Sequence, residues 1–330
     1  MDPVTQGALG AAWAQPAARG SKIAAATVTG CVSGLAPDLD VLIRSASDPL
    51  IAIEYHRHFT HALAFIPVGA LFCALLLYPL YGRMLGARVL YGFSLLGYAS
   101  HGLLDACTSY GTLLLWPFSN ERIAWDLVSV VDPLFTLPLI VFVMLGASKR
   151  KIRFAAIGLV WAFGYLGLGY IQNQRATAIV GELAAARGHT PVSVDAKPTL
   201  GNIVLFKTLY AHEGRYYVDA VRVGFGSRVF EGGARQMVDV ERDFPWLSPD
   251  TQQWRDIERF RWFADGYLAL DPGGANRIID LRYSLVPNRL DGFWGIELDP
   301  VASPDAHAAY VTMRARSTGE GIELLRMLFP

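Results

Sequence analysis

Residues 62–81 run for twenty positions without a charged side chain. A helix needs roughly 20 apolar residues to cross a bilayer core. There, every backbone polar group must bond within its own segment. A membrane-spanning helix is therefore the first expectation. Stretches 89–109, 130–146 and 154–171 are also apolar enough to span, 130–146 being short and carrying Asp132 and Pro133 near its start. Residues 23–37, full of Ala and Gly, are short for a span and read as re-entrant or packed against the others. The fold class expected is a mainly α membrane domain over residues 1–172, with about four transmembrane helices plus a short N-terminal helical or re-entrant region.

Hydrophobic residues make up 52% of the chain and charged ones only 18%, against roughly 25% charged in soluble domains. The shortfall lies in the first half. Net charge is zero, and no basic stripe exists that would serve a nucleic-acid surface. Cys31, Cys73 and Cys107 lie in the apolar half without CxxC spacing, which argues against a disulfide framework. The N-terminus lacks the pattern of a cleavable signal peptide.

From about Asp195 the pattern changes to a soluble α+β domain, residues 195–330. Residues 202–211 and 215–223 alternate like strands around Glu213-Gly214, a hairpin signal. Residues 251–264 read as a helix, and 266–270, 277–286 and 292–298 as strands. Residues 173–194 read as a connector, with an amphipathic helix over 174–187. Basic residues in short loops orient the chain. Arg83 and Arg88, and then Lys149, Arg150, Lys151 and Arg153, mark one side as cytoplasmic. The loop 110–127, the residues before Ala62 and the C-terminal domain then fall on the periplasmic or extracytoplasmic side.

That same side collects the chemistry. His56, His58 and His61 stand at the mouth of the first span, within His56-Arg57-His58-Phe59-Thr60-His61. His101 and Asp105 lie four apart on the second span and share a helix face. Asp38 and Asp40 sit in Pro37-Asp38-Leu39-Asp40. Ionisable residues at membrane depth are costly and point to function. Imidazole with carboxylate suits Zn²⁺ and related divalent ions, and more than four ligands suits two of them. Arg57 is placed to hold an anionic group such as a phosphate. Blander readings stand beside these. His58 is an interfacial polar residue, His101 and Asp105 an interhelical hydrogen bond, Asp38 and Asp40 a turn, and Asp132 a helix N-cap with Pro at the first position.

These residues resemble the YdjM-like family of membrane-bound metal-dependent hydrolases over roughly residues 1–146. The resemblance rests on Met1-Asp2-Pro3-Val4-Thr5-Gln6, Pro37-Asp38-Leu39-Asp40, His56-Arg57 with Thr60-His61, and Ser100-His101-Gly102-Leu103-Leu104-Asp105. It continues through Thr108-Ser109-Tyr110-Gly111-Thr112, Leu115-Trp116-Pro117-Phe118 and Val131-Asp132-Pro133. It implies a hydrolase in the bacterial inner (cytoplasmic) membrane, with a divalent metal, zinc foremost, as one or two ions. The metal set it carries over is Asp38, Asp40, His56, His61, His101 and Asp105. His58 is an extra, and Gln6 stands where the family often has His. The His-x-x-x-Asp element is similar to one in zinc-dependent phospholipase C enzymes, an analogy that points to phosphoester chemistry.

The expected function is ester or phosphoester hydrolysis of an amphiphilic, lipid-like substrate by metal-activated water. Asp40 would serve as a carboxylate base, and Arg57 and Arg122 would stabilise the anionic transition state. The alternative is a metal-handling or proton-coupled transporter using the same His/Asp cluster; crowding of the polar residues at one face favours the enzyme. A third reading, an envelope interaction protein, leaves the His/Asp clusters unexplained.

Overall fold

The structure, a computed structural model, describes residues 1–274, 276–313 and 318–329. It divides into two compact units: Met1–Ile43, Tyr55–Tyr170 and Leu200–Asn202 in one, and Arg44–Glu54, Ile171–Thr199 and Ile203–Pro330 in the other.

The first unit is helical. Its helices are α1 (Pro3–Ala14), α2 (Lys22–Leu35), then, beyond the short α3 (Ile51–Tyr55), α4 (Ile66–Leu85), α5 (Ala87–Ala106), α6 (Pro133–Lys149) and the start of α7 (Ile152–Ala186). Asp2 caps α1 by accepting from the Thr5 N–H at 3.0 Å, with Pro3 at the first helical position. Helix α5 packs against α1, α2 and α4. Glycines permit the closeness: a Cβ at Gly10 would lie 2.3 Å from the Gly30 oxygen, and one at Gly97 would lie 2.4 Å from that same oxygen. Apolar side chains of α4, α6 and α7, such as Leu75, Leu137 and Val160, face outward.

Two helices are long and apolar enough to cross a membrane, Leu63–Leu85 and Ile152–Ala186. About four spans are expected from the sequence, and these two are the ones length and composition support. Helix α6 has only 17 residues, about 26 Å at the helical rise, short of the roughly 30 Å hydrocarbon core. Helix α5 has 20 residues, but Arg88, His101, Asp105 and its serines make it too polar. Helix α2, at 14 residues, is shorter still. The fourth expected span and the amphipathic helix expected after it are one continuous helix, α7, of 35 residues.

The second unit holds the end of α7, strands β1 (Val194–Pro198), β2 (Leu205–His212), β3 (Arg215–Val223) and β4 (Ser227–Gln236), the short α8 (Val240–Asp243) and α9 (Gln252–Phe263). Strands β5 (Leu268–Leu270), β6 (Arg277–Asp280), β7 (Trp294–Glu297) and β8 (Ala309–Thr312) and helix α10 (Thr318–Leu328) follow. The strands form two antiparallel four-stranded sheets, β1-β2-β3-β4 and β5-β6-β7-β8. Glu213 and Gly214 both have positive φ (47° and 72°) in the β2–β3 turn, the conformation a tight hairpin needs. Leu209 and Val218 of one sheet share a core with Ala269 and Ile279 of the other. Ala176, Val180 and Ala184, spaced four apart on α7, pack against Phe206, Tyr210 and Val221.

Candidate metal centre

The site is assembled from three short pieces of the first unit. A 3-10 segment, Ala36–Leu42, follows α2 and carries Asp38 and Asp40. The turn after α3 carries His56 and Arg57, and a second 3-10 segment, Phe59–His61, ends in His61. The last turns of α5 carry His101 and Asp105. Arg57 has φ 65°, a left-handed conformation uncommon for a bulky residue and typical of functional segments. The turn directs the Arg57 N–H to Asp40 Oδ2 at 2.9 Å. Gly102 lets His61 lie against α5, since a Cβ there would meet the His61 carbonyl oxygen at 2.2 Å.

Four side chains converge. The Nε2 atoms of His61 and His101 are 2.9 Å apart. Asp38 Oδ1 lies 3.5 Å from the first and 3.3 Å from the second. Asp105 Oδ2 lies 3.3 Å and 3.7 Å from them. A tetrahedral zinc with bonds of about 2.1 Å would set neighbouring ligand atoms about 3.4 Å apart. The observed spacings bracket that value, and two imidazoles with two carboxylates are the donors this ion takes. The residues fit the metal. A second group, Asp38, Asp40 and His56, can also hold an ion, and Asp38 belongs to both. Asp38 and His56 are partly open to solvent, whereas His61, His101 and Asp105 are buried.

The surroundings fix each ligand. His101 Nδ1 meets the Gly34 carbonyl at 2.6 Å; a carbonyl only accepts, so Nδ1 carries the proton and the Nε2 lone pair faces the centre. His61 Nδ1 lies 3.3 Å from Asp40 Oδ2 and 3.0 Å from Thr60 Oγ1. Asp40 also takes His56 Nδ1 at 2.8 Å and Thr60 Oγ1 at 3.0 Å. It thus gathers the whole His56–His61 turn, a supporting role as much as a ligating one. Asp105 Oδ1 accepts from the Met1 amine and, at 2.8 Å, from Gln6 Nε2. Gln6 Oε1 is a buried acceptor with no hydrogen-bond partner among the described residues.

Mutual pairing of acids and imidazoles dominates the electrostatics of the centre. Burial disfavours charge on His61, but Asp105, Asp38 and Asp40 outweigh it and push its pKa up to about 10. Burial likewise opposes charge on Asp38 and Asp40. Bonds to His101 and His61 for the one, and to His56 and His61 for the other, hold both carboxyls well below the usual range.

Not every expected residue joins the cluster. The guanidinium of Arg57 is buried, its Nε 3.1 Å from Asp105 Oδ2, its Nη1 donating to Thr108 Oγ1 at 2.8 Å, its plane over the Tyr110 ring. It is the counter-ion of Asp105. Arg122 donates to the carbonyls of Gly111 at 3.0 Å and Tyr110 at 3.5 Å. Asp132 caps α6 through the N–H groups of Leu134 and Phe135 and accepts from the Tyr165 hydroxyl. His58 packs among Tyr55, Phe59 and Trp116. Sequence reasoning assigns no role to Gly34 or Gly102. The available signals were the Gly30-x3-Gly34 spacing and a glycine directly after His101.

A family profile described as YdjM inner membrane protein matches residues 1–176, a stretch that contains the whole cluster. A curated relative, YfhP of Bacillus subtilis (strain 168), described as uncharacterized, is 29% identical over 98 residues. That match covers 30% of this chain and 29% of the relative's own length. No solved structure matches significantly.

Proposed function

The chain belongs to the YdjM inner membrane protein family, and on that premise we propose that its helical unit is a metal-dependent hydrolase acting on an ester or phosphoester of an amphiphilic substrate. The observation that carries this reading is the convergence of one ligand atom each from His61, His101, Asp38 and Asp105 within 4.8 Å of one another, with Asp38 shared by a second ligand group. Zinc is the ion proposed, at one or two sites. A bound divalent ion would supply Lewis acidity and a water acidic enough to ionise near neutral pH. The protein's own groups do the rest. Asp40 and the Gly34 carbonyl hold the two imidazoles with Nε2 inward. Arg57 balances the Asp105 charge, so the buried carboxylate stays ionised and available as a ligand. Asp38 and His56, the accessible members, mark the side from which substrate approaches.

Apolar side chains support a lipid-like substrate. Leu39 lies between the two aspartates and Leu42 just after them, and both are exposed. The segment after Thr112 is tied to the ligand turn by Leu113 N–H to the Arg57 carbonyl at 3.1 Å and Leu63 N–H to the Leu114 carbonyl at 2.9 Å. It carries exposed Leu115 and Phe118. The proposed orientation puts this mouth and the C-terminal unit on the periplasmic face. A reporter fused after Pro330 tests it, and activity characteristic of the cytoplasm would reverse the orientation.

Purified protein assayed on a panel of phosphoesters and phospholipids tests the activity. Turnover should be abolished by a chelator and restored by Zn²⁺. Metal uptake into the vesicle lumen, with no hydrolysis of any member of the panel, would instead favour a transporter.

A further inference from the structure

The two ligand-bearing stretches, Asp38–Asp40 and His56–His61, are separated in sequence by Arg44–Glu54. Those residues belong to the second compact unit, while Ile43 before them and Tyr55 after them belong to the first. Inside the second unit Arg259 of α9 grips two of their carboxylates. Its Nη1 and Nη2 grip the Asp48 carboxylate at 3.1 and 2.9 Å, oxygen by oxygen. Its Nε and Nη2 reach Glu54 Oε2 at 3.1 and 2.6 Å. Asp256, one turn back on α9, takes Nη1 at 3.0 Å and is itself bonded to His307 Nδ1 at 2.9 Å. The segment is built to receive this fork. Ser45 Oγ accepts from the Asp48 N–H at 3.2 Å, Asp48 accepts from the Leu50 N–H at 3.0 Å, and Leu50 is buried.

We infer that Arg259 is a positioning residue for the candidate metal centre: by fixing Asp48 and Glu54 it sets the separation of Asp40 from His56. The covalent chain transmits the constraint. Glu54 stands two residues before His56, and Asp48 is eight residues after Asp40. A two-pronged guanidinium–carboxylate grip fixes orientation as well as distance. The ion pairs are partly exposed, so their contribution to overall stability is small and their effect is mainly on local geometry. Of the two ligand groups, the one holding both Asp40 and His56 depends on the strap. The deeper group rests on α5 and on the Gly34 and Asp40 contacts. The metal consequence rests on the function proposed above; the positional one does not.

Two measurements on the full chain separate them. In metal-free protein, hydrogen exchange at the Arg57 amide, which donates to Asp40, should speed up about tenfold or more in Arg259→Ala. It should be intermediate in Arg259→Lys, which keeps the charge and loses the fork, and amides of α5 should be unchanged. Unchanged Arg57 protection in a folded Arg259→Ala protein overturns the strap. Titration with Zn²⁺ alone should show the weaker site losing about ten- to a hundredfold in affinity, the range for outer-shell partners, and the tighter site, anchored on α5, losing less. Arg259→Ala should add nothing to His56→Ala, as expected for residues acting through one another. Equal loss at both sites, or additive loss, contradicts positioning. If wild-type protein takes up no zinc, the proposed function fails, and the exchange experiment still decides the strap.

Discussion

The imidazoles of His61 and His101 face each other with Nε2 atoms 2.9 Å apart, and the far nitrogen of each is already committed, to Asp40 and to the Gly34 carbonyl. Two lone pairs cannot rest at that separation, so a proton or a metal ion lies between them. In the metal-free protein a proton on His61 meets the need; in the loaded protein a divalent ion does.

Metal uptake should therefore release protons. His61 has its pKa raised from 6.5 to about 10, so below that pH the ion displaces a proton, and affinity should climb with pH until about 10. The same shift has a stability consequence in metal-free protein. A raised pKa stabilises the fold fully below pH 6.5 and is lost as pH rises through about 10. Calorimetric zinc titration in buffers of different protonation enthalpy measures the release. Proton-independent binding between pH 7 and 9 would refute the shared-proton picture.

Gly102→Ala should damage the site without touching a ligand. The new Cβ would meet the His61 carbonyl oxygen at 2.2 Å, and backbone cannot give way as a side-chain tip can. A cost of about 1–3 kcal/mol, as for other overpacking changes, should accompany loss of zinc affinity. Denaturant unfolding together with metal titration checks both.

Asp40→Asn keeps shape and removes the charge behind His61. The Arg57 N–H and Thr60 hydroxyl would retain an acceptor, while His61 would lose its carboxylate partner. Zinc affinity should fall about ten- to a hundredfold with the fold intact. Full retention would show that Asp40 is dispensable.

The histidines and aspartates of the site were legible because ionisable residues in apolar surroundings are conspicuous. The Asp132 cap and the Glu213-Gly214 hairpin were legible because they rest on local chemistry. The number of spans was not. Helix α5 is apolar by sequence run but carries its polar groups into a protein interior, which a linear count cannot distinguish from lipid. Nor was the continuity of α7, whose later half hides an Ala176, Val180, Ala184 stripe against a sheet formed from distant residues. Strands β4 and β8 escaped notice because their residues are only partly buried and alternate weakly. Arg57 read as an anion holder because sequence alone does not reveal that Asp105 already occupies it.

Lys207 gives the second unit an opposite pH response. It is buried, bonded to Ser284 Oγ and the Arg289 carbonyl at 2.8 Å each. Burial pulls its pKa down from 10.5 to about 7, against the pull of Asp291 and Asp280. Between those values the unfolded chain binds more protons than the folded one, so this group makes stability rise with pH. Protection of β2 amides, corrected for intrinsic exchange, should increase from pH 7 toward pH 10. The rise should vanish in Lys207→Met.

Metal content of freshly purified protein, prepared without chelator, decides whether the His61–His101 centre holds an ion. Stoichiometric zinc, one or two ions per chain, should be present in the wild type and absent from a folded His101→Ala variant. A wild-type protein free of divalent metal, and unable to take up zinc on addition, would contradict the account.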